Sequence, residues 1–384
     1  MSMVLLILAS SMFVFSLSIP GQSASIPQSC FSQSVKVSSI PETHLYHKKT
    51  KPLVIGHHGN PSKFQENTVD GFKSLVELKA DGMEFDTFLT KDKKLVVIHY
   101  DNTVHLTNKD HNIWETTYEE LLKLDLPTSI KYGEKPYNFT KTRKIPLLSE
   151  VIDATKDDEL VMYLNIKPGY LRNRTESEMV GEEVAKLVTA LGVVDKVLLS
   201  SFDPFKIWAA KKVNPSLVVG TFYKRQMWDD LATINVTKSE LGDLPNMQQC
   251  VKDAPAGREF MNVLFRSGAL LKSTNGSFVV MDYNIFNNKK YSNETFQTFK
   301  DHYRKDLSFG AFIIDNLALS DAQRAADEKF LDLLIANDVS CLVTDDVPRL
   351  LNKLGRRPSK GFANKNLPTL LVLYAIVPFF GLLF

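Results

Sequence analysis

The chain has 384 residues, of which 44% are hydrophobic and 23% are charged, and its formal net charge is +2. These values indicate a globular protein, and the lack of a strongly basic field argues against nucleic acid as a partner. The length is sufficient for one α/β barrel of about 250 to 300 residues with additional segments at either end.

The first segment of the chain predicts export. Residues 4–17 form an apolar run that is too short to span a bilayer, and small residues follow it at 21–25. We therefore expect a signal peptide over residues 1–25 and an N-terminal extension over residues 26–51. The alternative interpretation is a buried N-terminal helix.

From residue 52 to residue 356, short apolar strands alternate with amphipathic stretches, a pattern typical of βα units around a parallel sheet. Eight parallel strands are predicted, at 53–56, 82–86, 160–166, 196–202, 217–222, 278–283, 310–315 and 339–345. Helices are predicted at 69–78, 176–191, 203–212 and 321–336, and Thr116 or Thr117 caps another short one. The expected fold is an α/β (β/α)8 TIM barrel, with residues 224–276 as an insertion in its second half.

A further strand ending at His99 cannot belong to the parallel set. The linker TKDKK before it is too short for a crossover, so this strand must fold back as a small hairpin above the C-terminal face. If Asp92 and Lys93 form a two-residue turn, His99 lies opposite Asp86 and shares its face. A three-residue loop would instead place His99 on the other face.

Polar side chains are predicted to meet at the C-terminal ends of the barrel strands, where such barrels carry their active sites. Glu84 and Asp86 end the second strand, His57 follows the first, and Asn165 and Lys167 share a face at the end of another. Two carboxylates on one face indicate a hard divalent cation held by oxygen atoms.

Nine short motifs carry a resemblance to a known family. In chain order they are HHG, ENT, GMEFD, LTKD, VVIHYD, IPLLSEVI, LNIK, SSFDP and VTDDVP. Their types and order resemble those of the glycerophosphodiester phosphodiesterases, which are barrels related to phosphatidylinositol phospholipases C and to venom-type phospholipases D. The resemblance covers residues 52–354 and is looser from 224 to 310. It implies hydrolysis of a phosphodiester with two histidines and one divalent metal.

The resemblance also implies roles for individual residues. The expected set comprises His57 as base or nucleophile, His99 as acid, Glu84, Asp86 and Asn165 as metal ligands, and His58 and Lys167 facing the phosphate. Such chemistry needs a cation to stabilise charge on the phosphate oxygens, and two groups to move protons at neutral pH.

Three positions depart from the pattern of the family. His58 stands where an arginine is usual, Asn165 where a glutamate is usual, and Tyr100 where an aspartate is usual. A histidine cannot clamp a phosphate bidentately, and an asparagine removes one negative charge from the metal site. Of the two candidate cations, Ca²⁺ and Mg²⁺, the weaker site favours Ca²⁺, which is abundant outside cells.

The expected activity is hydrolysis of glycerophosphodiesters such as glycerophosphocholine to glycerol 3-phosphate and an alcohol. Two alternatives remain open at this point. One is a phospholipase D that acts on lysophospholipids or sphingomyelin. The other is a non-catalytic cell-surface binding module on a degenerate barrel. The expected partner is thus a small phosphodiester or a lysolipid.

The last segment predicts attachment to a membrane. Residues 367–384 are nearly all apolar and follow a basic stretch with small residues, so residues 357–384 resemble a signal for a glycosylphosphatidylinositol (GPI) anchor. A retained tail anchor is the alternative. Together with the signal peptide, this segment predicts a chain on the cell surface, or one that is secreted.

Glycosylation sequons and cysteines are consistent with an exported chain. Sequons occur at Asn138, Asn173, Asn235, Asn275 and Asn293. Three cysteines are present, and the pair Cys30 and Cys250 could form a disulfide, whereas Cys341 lies in an apolar strand and is expected to be a buried thiol.

Overall fold

A computed structural model describes residues 38–167, 174–225, 227, 244, 249–254, 258–287, 295–297, 307–314 and 316–356. Four of the predictions concern residues outside these ranges. They are the signal peptide, the C-terminal tail, the sequons at Asn173, Asn235 and Asn293, and the disulfide of Cys30. Among the residues described, no helix has the length and apolar character needed to cross a membrane.

The strands, in chain order, are β1 Leu53–His57, β2 Gly82–Leu89, β3 Leu95–Val97, β4 Ser129–Tyr132, β5 Lys135–Asn138, β6 Val161–Ile166, β7 Val197–Ser201, β8 Val218–Tyr223, β9 Phe278–Asp282, β10 Ser308–Ile314 and β11 Cys341–Thr344. Strands β1, β2 and β6 to β11 run parallel in this order, and β11 pairs with β1. The predicted eight-stranded TIM barrel is therefore confirmed.

The helices that surround the barrel are α1 Val69–Leu78, α2 Val104–Thr107, α3 Tyr118–Leu121, α4 Leu148–Thr155, α5 Arg174–Ala190, α6 Pro204–Val213, α7 Gln249–Lys252, α8 Arg258–Arg266, α9 Ala269–Thr274, α10 Tyr283–Asn287, α11 Asp321–Ala336 and α12 Val347–Lys353. The predicted bounds of α1 and α11 match, and those of α5 and α6 shift by one or two residues. Of the two predicted caps for α3, the structure uses Thr117, which forms a capping box with Glu120.

Alternation along β2 decides which of its side chains face the barrel interior. Met83 and Phe85 pack in the apolar layer between the sheet and the helices, so Glu84 and Asp86 point to the opposite, inner face. The first residue of this strand, Gly82, has no room for a side chain, because an added Cβ would lie 2.3 Å from the carbonyl oxygen of Val161 on β6. The sequence thus places two carboxylates inside the barrel, where apolar residues normally dominate.

The register of the β2–β3 hairpin corrects the prediction. Thr87 pairs with Val97 and Leu89 with Leu95, which leaves a three-residue loop with Lys93 at a φ of 58° in the left-handed region. Of the two loops considered, the structure has the three-residue one, so Asp86 is not opposite His99. Strand β3 ends at Val97, and the chain bends beyond it, so His99 still reaches the barrel opening.

A second hairpin, formed by β4 and β5, was not predicted. Its turn glycine, Gly133, lies close to Ala318 in the loop that follows β10. A Cβ added to Gly133 would be only 2.7 Å from the Ala318 oxygen. Tyr132 at the end of β4 donates a hydrogen bond to Glu66. This hairpin therefore lies beside the C-terminal opening of the barrel.

The predicted insertion at residues 224–276 is in part an ordinary crossover. Within its described part, α7, α8 and α9 connect β8 to β9, and Phe260, Met261 and Leu264 of α8 are buried in the outer apolar layer. These residues recur at helical spacing, so the helix forms because it buries its apolar face against the sheet. Residues 228–243 lie outside the described part.

The N-terminal end of the barrel is closed by the segment before β1. Ile40, Leu45 and Tyr46 join the apolar residues of the barrel interior, and Cys341 beside them is a free, fully buried thiol as predicted. At the surface, the described sequons Asn138 and Asn275 are both exposed. Whether either carries a glycan stays a prediction.

Candidate active site

The C-terminal opening of the barrel leads into a cavity of about 440 Å³. Six of the predicted site residues contribute to its lining, together with aromatic and further charged residues. The lining comprises His57, Glu84, Asp86, Phe88, His99, Tyr100, Asp101, Asn165, Lys167, Phe202, Phe222, Lys224, Asp282, Phe312 and Val343.

His57 is held in one orientation at the end of β1. Its Nδ1 lies 2.7 Å from Oδ1 of Asp345, which follows β11, and the other oxygen of Asp345 accepts a hydrogen bond from the backbone N–H of Leu317. The second ring nitrogen, Nε2, lies 3.9 Å from Oε2 of Glu84. A carboxylate on one imidazole nitrogen fixes the ring and leaves the other nitrogen directed into the cavity.

His58 lies directly behind His57, with the two rings stacked at 3.6 Å between centroids. Its φ of 52° is in the left-handed region, which turns the ring away from the strand direction. Nε2 lies 2.9 Å from Oδ2 of Asp86, and Nδ1 lies 3.8 Å from Oε1 of Glu66. Although burial alone would lower the pKa of His58, Asp86 and the neighbouring glutamates outweigh it and raise the pKa to about 9.

Asp86 is fully buried and is the centre of the charged groups. Lys167 Nζ lies 3.0 Å from its Oδ1, and Asn165 Nδ2 donates to the same oxygen at 2.8 Å. Burial would raise the pKa of Asp86, but Lys167 and His58 overcome it and hold this pKa well below its usual range. Asp86 is thus an anion, and in the structure Lys167 and His58 both bind it.

Glu84 experiences the opposite balance. Burial and then the charge of Asp86 raise the pKa of Glu84 above its ordinary value. An added positive charge beside the two carboxylates would relieve this repulsion. Asn165 Oδ1, on the same cavity wall, is buried and has no hydrogen-bond partner among the described residues. The residues present therefore fit a divalent cation between Glu84, Asp86 and Asn165.

His99 completes the group from above. Its ring centroid lies 4.5 Å from that of His58 and 6.5 Å from that of His57. Burial, followed by the charges of Lys167 and His58, lowers the pKa of His99 well below its ordinary value. The ring is therefore neutral when the cavity holds no anion.

Sequence reasoning did not assign two residues that the structure brings to the site. Asp345 belongs to VTDDVP and Glu66 to ENT, and both motifs were recognised without a role for their acids. Asp345 is 288 positions from His57, so only closure of the barrel shows the contact. An acid at the C-terminal end of a predicted barrel strand was the signal that could have found Asp345.

Comparisons with known proteins agree with the geometry. A family model for the glycerophosphoryl diester phosphodiesterase family matches residues 57–264. A glycerophosphodiester phosphodiesterase from Caldanaerobacter subterraneus is 36% identical over 174 residues, 45% of this chain and 68% of its own length. A lysophospholipase D from Mus musculus is 28% identical over 178 residues, 44% of this chain and 54% of its own length.

Solved structures show the same barrel at low sequence identity. A glycerophosphodiester phosphodiesterase from Parabacteroides distasonis has a TM-score of 0.52 and 15% identity, and the match covers 79% of this chain and 98% of that one. A phosphodiesterase from Oleispira antarctica, solved with its product sn-glycerol-3-phosphate, has a TM-score of 0.52 and 17% identity, covering 79% and 96%. Since the family model matches more than half of the chain, this protein belongs to the glycerophosphoryl diester phosphodiesterase family of phosphoric diester hydrolases.

Proposed function

We propose that this protein hydrolyses glycerophosphodiesters, such as glycerophosphocholine, to glycerol 3-phosphate and an alcohol. The observation that carries this proposal is the pair His57 and Asp345, joined at 2.7 Å, at the edge of a cavity that also contains His99 and two buried carboxylates. The product named for the Oleispira antarctica phosphodiesterase, sn-glycerol-3-phosphate, supports the same substrate class.

The proposed catalytic roles follow from the surroundings of the two histidine rings. His57 uses Nε2 as base or nucleophile, because Asp345 occupies Nδ1 and stabilises the ring when it becomes positive. His99 protonates the leaving alcohol. A phosphate anion in the cavity would offset the charges of Lys167 and His58, and so would favour the protonated form of His99 that an acid needs.

Positively charged groups in the cavity bind the phosphate. When bound by Glu84, Asp86 and Asn165, a divalent cation supplies positive charge to the nonbridging oxygens of the phosphate. Lys167 Nζ, 3.0 Å from Asp86, lines the cavity and adds a second positive charge at the same side. We propose Ca²⁺ or Mg²⁺, because the donor atoms of this set are all oxygens.

The test is release of choline and glycerol 3-phosphate from glycerophosphocholine by wild type, His57→Ala and His99→Ala, with Ca²⁺ or Mg²⁺ and with EDTA. We expect each alanine variant to lower kcat by about 10²-fold or more, since proton transfer typically contributes that much. EDTA should abolish activity, and added metal should restore it. A fully active His99→Ala enzyme would show that another group donates the proton.

A second candidate substrate, a lysophospholipid, is favoured by one feature of the cavity. Phe202, Phe222 and Phe312 form an aromatic wall, with the rings of Phe222 and Phe312 stacked at 5.3 Å. An apolar wall can accept an acyl chain, and the mouse relative is named as a lysophospholipase D. Comparing release of choline from lysophosphatidylcholine, sphingomyelin and glycerophosphocholine separates the substrates, and activity on none of them would favour a non-catalytic binding module.

We further propose that the mature protein is exported and held at the cell surface. The apolar runs at 4–17 and 367–384 support this proposal. Treating intact cells that express the protein with a GPI-specific phospholipase should release it. If the protein stays on the membrane and mass spectrometry still detects Phe384, the tail is a retained anchor instead.

A further inference from the structure

Three side chains beside the proposed oxygen-lined cation site converge from separate segments. His58 follows β1, Glu66 precedes α1, and His99 follows β3. One ligand atom of each lies within 4.8 Å of those of the other two. His58 and Glu66 are 5% and 4% exposed, so this cluster is part of the protein interior and is not a surface group of charges.

One oxygen of Glu66 accepts no hydrogen bond from the residues that the structure describes. This atom, Oε1, is buried and lies 3.8 Å from Nδ1 of His58. That distance is too long for a hydrogen bond. A buried carboxylate oxygen that accepts no hydrogen bond destabilises the folded protein. The ion pair with His58 therefore leaves Oε1 without a hydrogen bond, and a metal ion between the two side chains would bind it directly.

The second polar atom of each of these two side chains, His58 Nε2 and Glu66 Oε2, already has a partner. His58 Nε2 lies 2.9 Å from Asp86 Oδ2, and Glu66 Oε2 accepts a hydrogen bond from the Tyr132 hydroxyl at 3.1 Å. Histidines that bind metals almost always donate their other N–H to a carboxylate, and ligating carboxylates are hydrogen-bonded in turn. Tyr132 therefore holds Glu66 by a hydrogen bond, and Asp86 holds His58 by an ion pair. Zinc at Nδ1 of His58 would displace the proton on that nitrogen.

We propose that His58, Glu66 and His99 form a second metal site that selects Zn²⁺. Two imidazoles and one carboxylate are a donor set of catalytic zinc sites, whereas Ca²⁺ and Mg²⁺ prefer oxygen ligands. Zinc–ligand distances of about 2.0–2.2 Å require the three atoms to move together by roughly 1 Å. The departure that creates this site is His58, since an arginine at that position cannot ligate a metal.

Zinc at this site would occupy one ring nitrogen of His99. A zinc-bound imidazole resists the protonation that an acid needs, so Zn²⁺ inhibits the hydrolysis that Ca²⁺ or Mg²⁺ supports. This consequence for activity rests on the proposed function, whereas zinc binding itself does not.

The first test is calorimetric titration of Zn²⁺ into folded protein saturated with Ca²⁺. We compare wild type with Glu66→Gln, which keeps the size of the side chain, and with Glu119→Gln on the exposed surface of α3 as a matched loss of charge. Glu66→Gln should weaken zinc binding by about tenfold or more, and Glu119→Gln should leave it unchanged. Tyr132→Phe, which removes one outer hydrogen bond, should also weaken binding, by about tenfold.

A neighbouring cluster sets the outcome that would overturn the proposal. His57, His58 and Glu84 also offer ligand atoms within 4.8 Å of one another. If Glu84→Gln weakens zinc binding and both Glu66→Gln and Tyr132→Phe do not, the zinc lies in that cluster and our assignment is wrong. Absence of zinc binding to wild type at micromolar concentrations contradicts it as well.

The activity measurement separates the two proposals. Glycerophosphocholine hydrolysis is followed with saturating Ca²⁺ and increasing Zn²⁺, each variant being compared with its own rate without zinc. We expect inhibition of wild type and a shift of the inhibiting concentration to at least about tenfold higher values in Glu66→Gln. Zinc binding without hydrolysis under any condition contradicts the proposed function alone, and hydrolysis without zinc binding contradicts the zinc site alone.

Discussion

His57 and His58 are adjacent in the chain but differ in what surrounds each ring. His57 ends a barrel strand and has one carboxylate, Asp345, on Nδ1. His58 has a left-handed backbone and is surrounded by Asp86, Glu66 and Glu84. The first environment orients a ring for proton transfer, and the second stabilises a cation or supports a metal ligand. The difference arises because β1 ends between the two residues.

Asp345 offers a test of that orientation. Asp345→Asn keeps the size of the side chain but removes the charge that stabilises a positive His57 ring. We expect kcat to fall by about 10²-fold or more with a small change in KM, since the contact matters most during proton transfer. Steady-state kinetics on glycerophosphocholine measures both constants. An unchanged kcat would show that the carboxylate only supports the loop at Leu317, which it also binds.

Asn165 offers a test of the cation site. Asn165→Glu would place a third carboxylate beside Glu84 and Asp86, so we expect the affinity for Ca²⁺ and Mg²⁺ to rise by about tenfold or more. Without metal, the same variant should be less stable than wild type, because Nδ2 no longer donates to Asp86 and a buried charge is added. Calorimetric titration of both cations into both proteins measures the affinity, and equal or weaker binding by the variant would remove Asn165 from the site.

Two hairpins shape the opening of the barrel. Sequence patterns predicted the first without fixing its register and did not predict the second. The β2–β3 hairpin has a three-residue loop, and the bend after Val97, not the register, brings His99 to the cavity. The β4–β5 hairpin supplies Tyr132 to Glu66. Both are short antiparallel segments whose positions depend on contacts with the barrel, because an isolated hairpin is at best marginally stable in water.

The segment that closes the other end of the barrel predicts a pH dependence of stability. His44 is buried, its Nδ1 accepts the backbone N–H of Tyr46, and its Nε2 contacts the Val197 oxygen. Burial lowers the pKa of His44 to about 4. As the pH falls, His44 binds a proton near pH 6.5 in the unfolded chain but only near pH 4 in the folded chain. The contribution of His44 to the free energy of unfolding is therefore complete above about pH 6.5. It is lost as the pH falls from 6.5 to 4, by up to about 3 kcal/mol.

Urea denaturation of wild type and His44→Gln at pH 7.5 and pH 5 measures this effect. Gln can replace the acceptor for Tyr46 but does not titrate. We expect wild type to lose more free energy of unfolding than the variant between the two pH values, because only wild type contains the buried imidazole at this position. An equal loss in both would show that His44 does not contribute to the pH dependence.

At the level of the whole molecule, the interior near the C-terminal opening of the barrel combines buried charges with the aromatic wall of the cavity. Glu84 and Asp86 are buried there beside Lys167 and two histidines, and such groups are costly without compensating partners. The apolar interior cluster lies nearer the other end. Apolar packing therefore stabilises one end of the barrel. The other end contains a charged cavity, and bound ligands can compensate its buried charges.

Metal binding should accordingly stabilise the entire fold. A cation that binds only the folded state adds about 2.7 kcal/mol at a concentration of 100 times its Kd. We expect the Tm of EDTA-treated protein to rise by several degrees with saturating Ca²⁺ or Mg²⁺, and not in Glu84→Gln. Differential scanning calorimetry measures both proteins, and an equal rise of Tm in the variant would place the cation elsewhere.

The sequence by itself determined the barrel and most of the site. Strands such as β1 and β6 are short apolar runs with polar ends, and that pattern depends only on local composition and on the shared C-terminal edge of parallel strands. Glu84, Asp86, His57, Asn165 and Lys167 could therefore be found without coordinates.

Only the tertiary structure decided which atoms these side chains contact. The pairing of His57 with Asp345 and of Glu66 with Tyr132 joins residues 288 and 66 positions apart. Local patterns can place an acid at the end of a strand, but they do not show which side chain it contacts. The binding of Lys167 and His58 to Asp86 likewise depends on ångström distances in a buried space, where electrostatic interactions are strong. Sequence periodicity assigns a side chain to a face of its strand, and the closed barrel then sets its distances to the others.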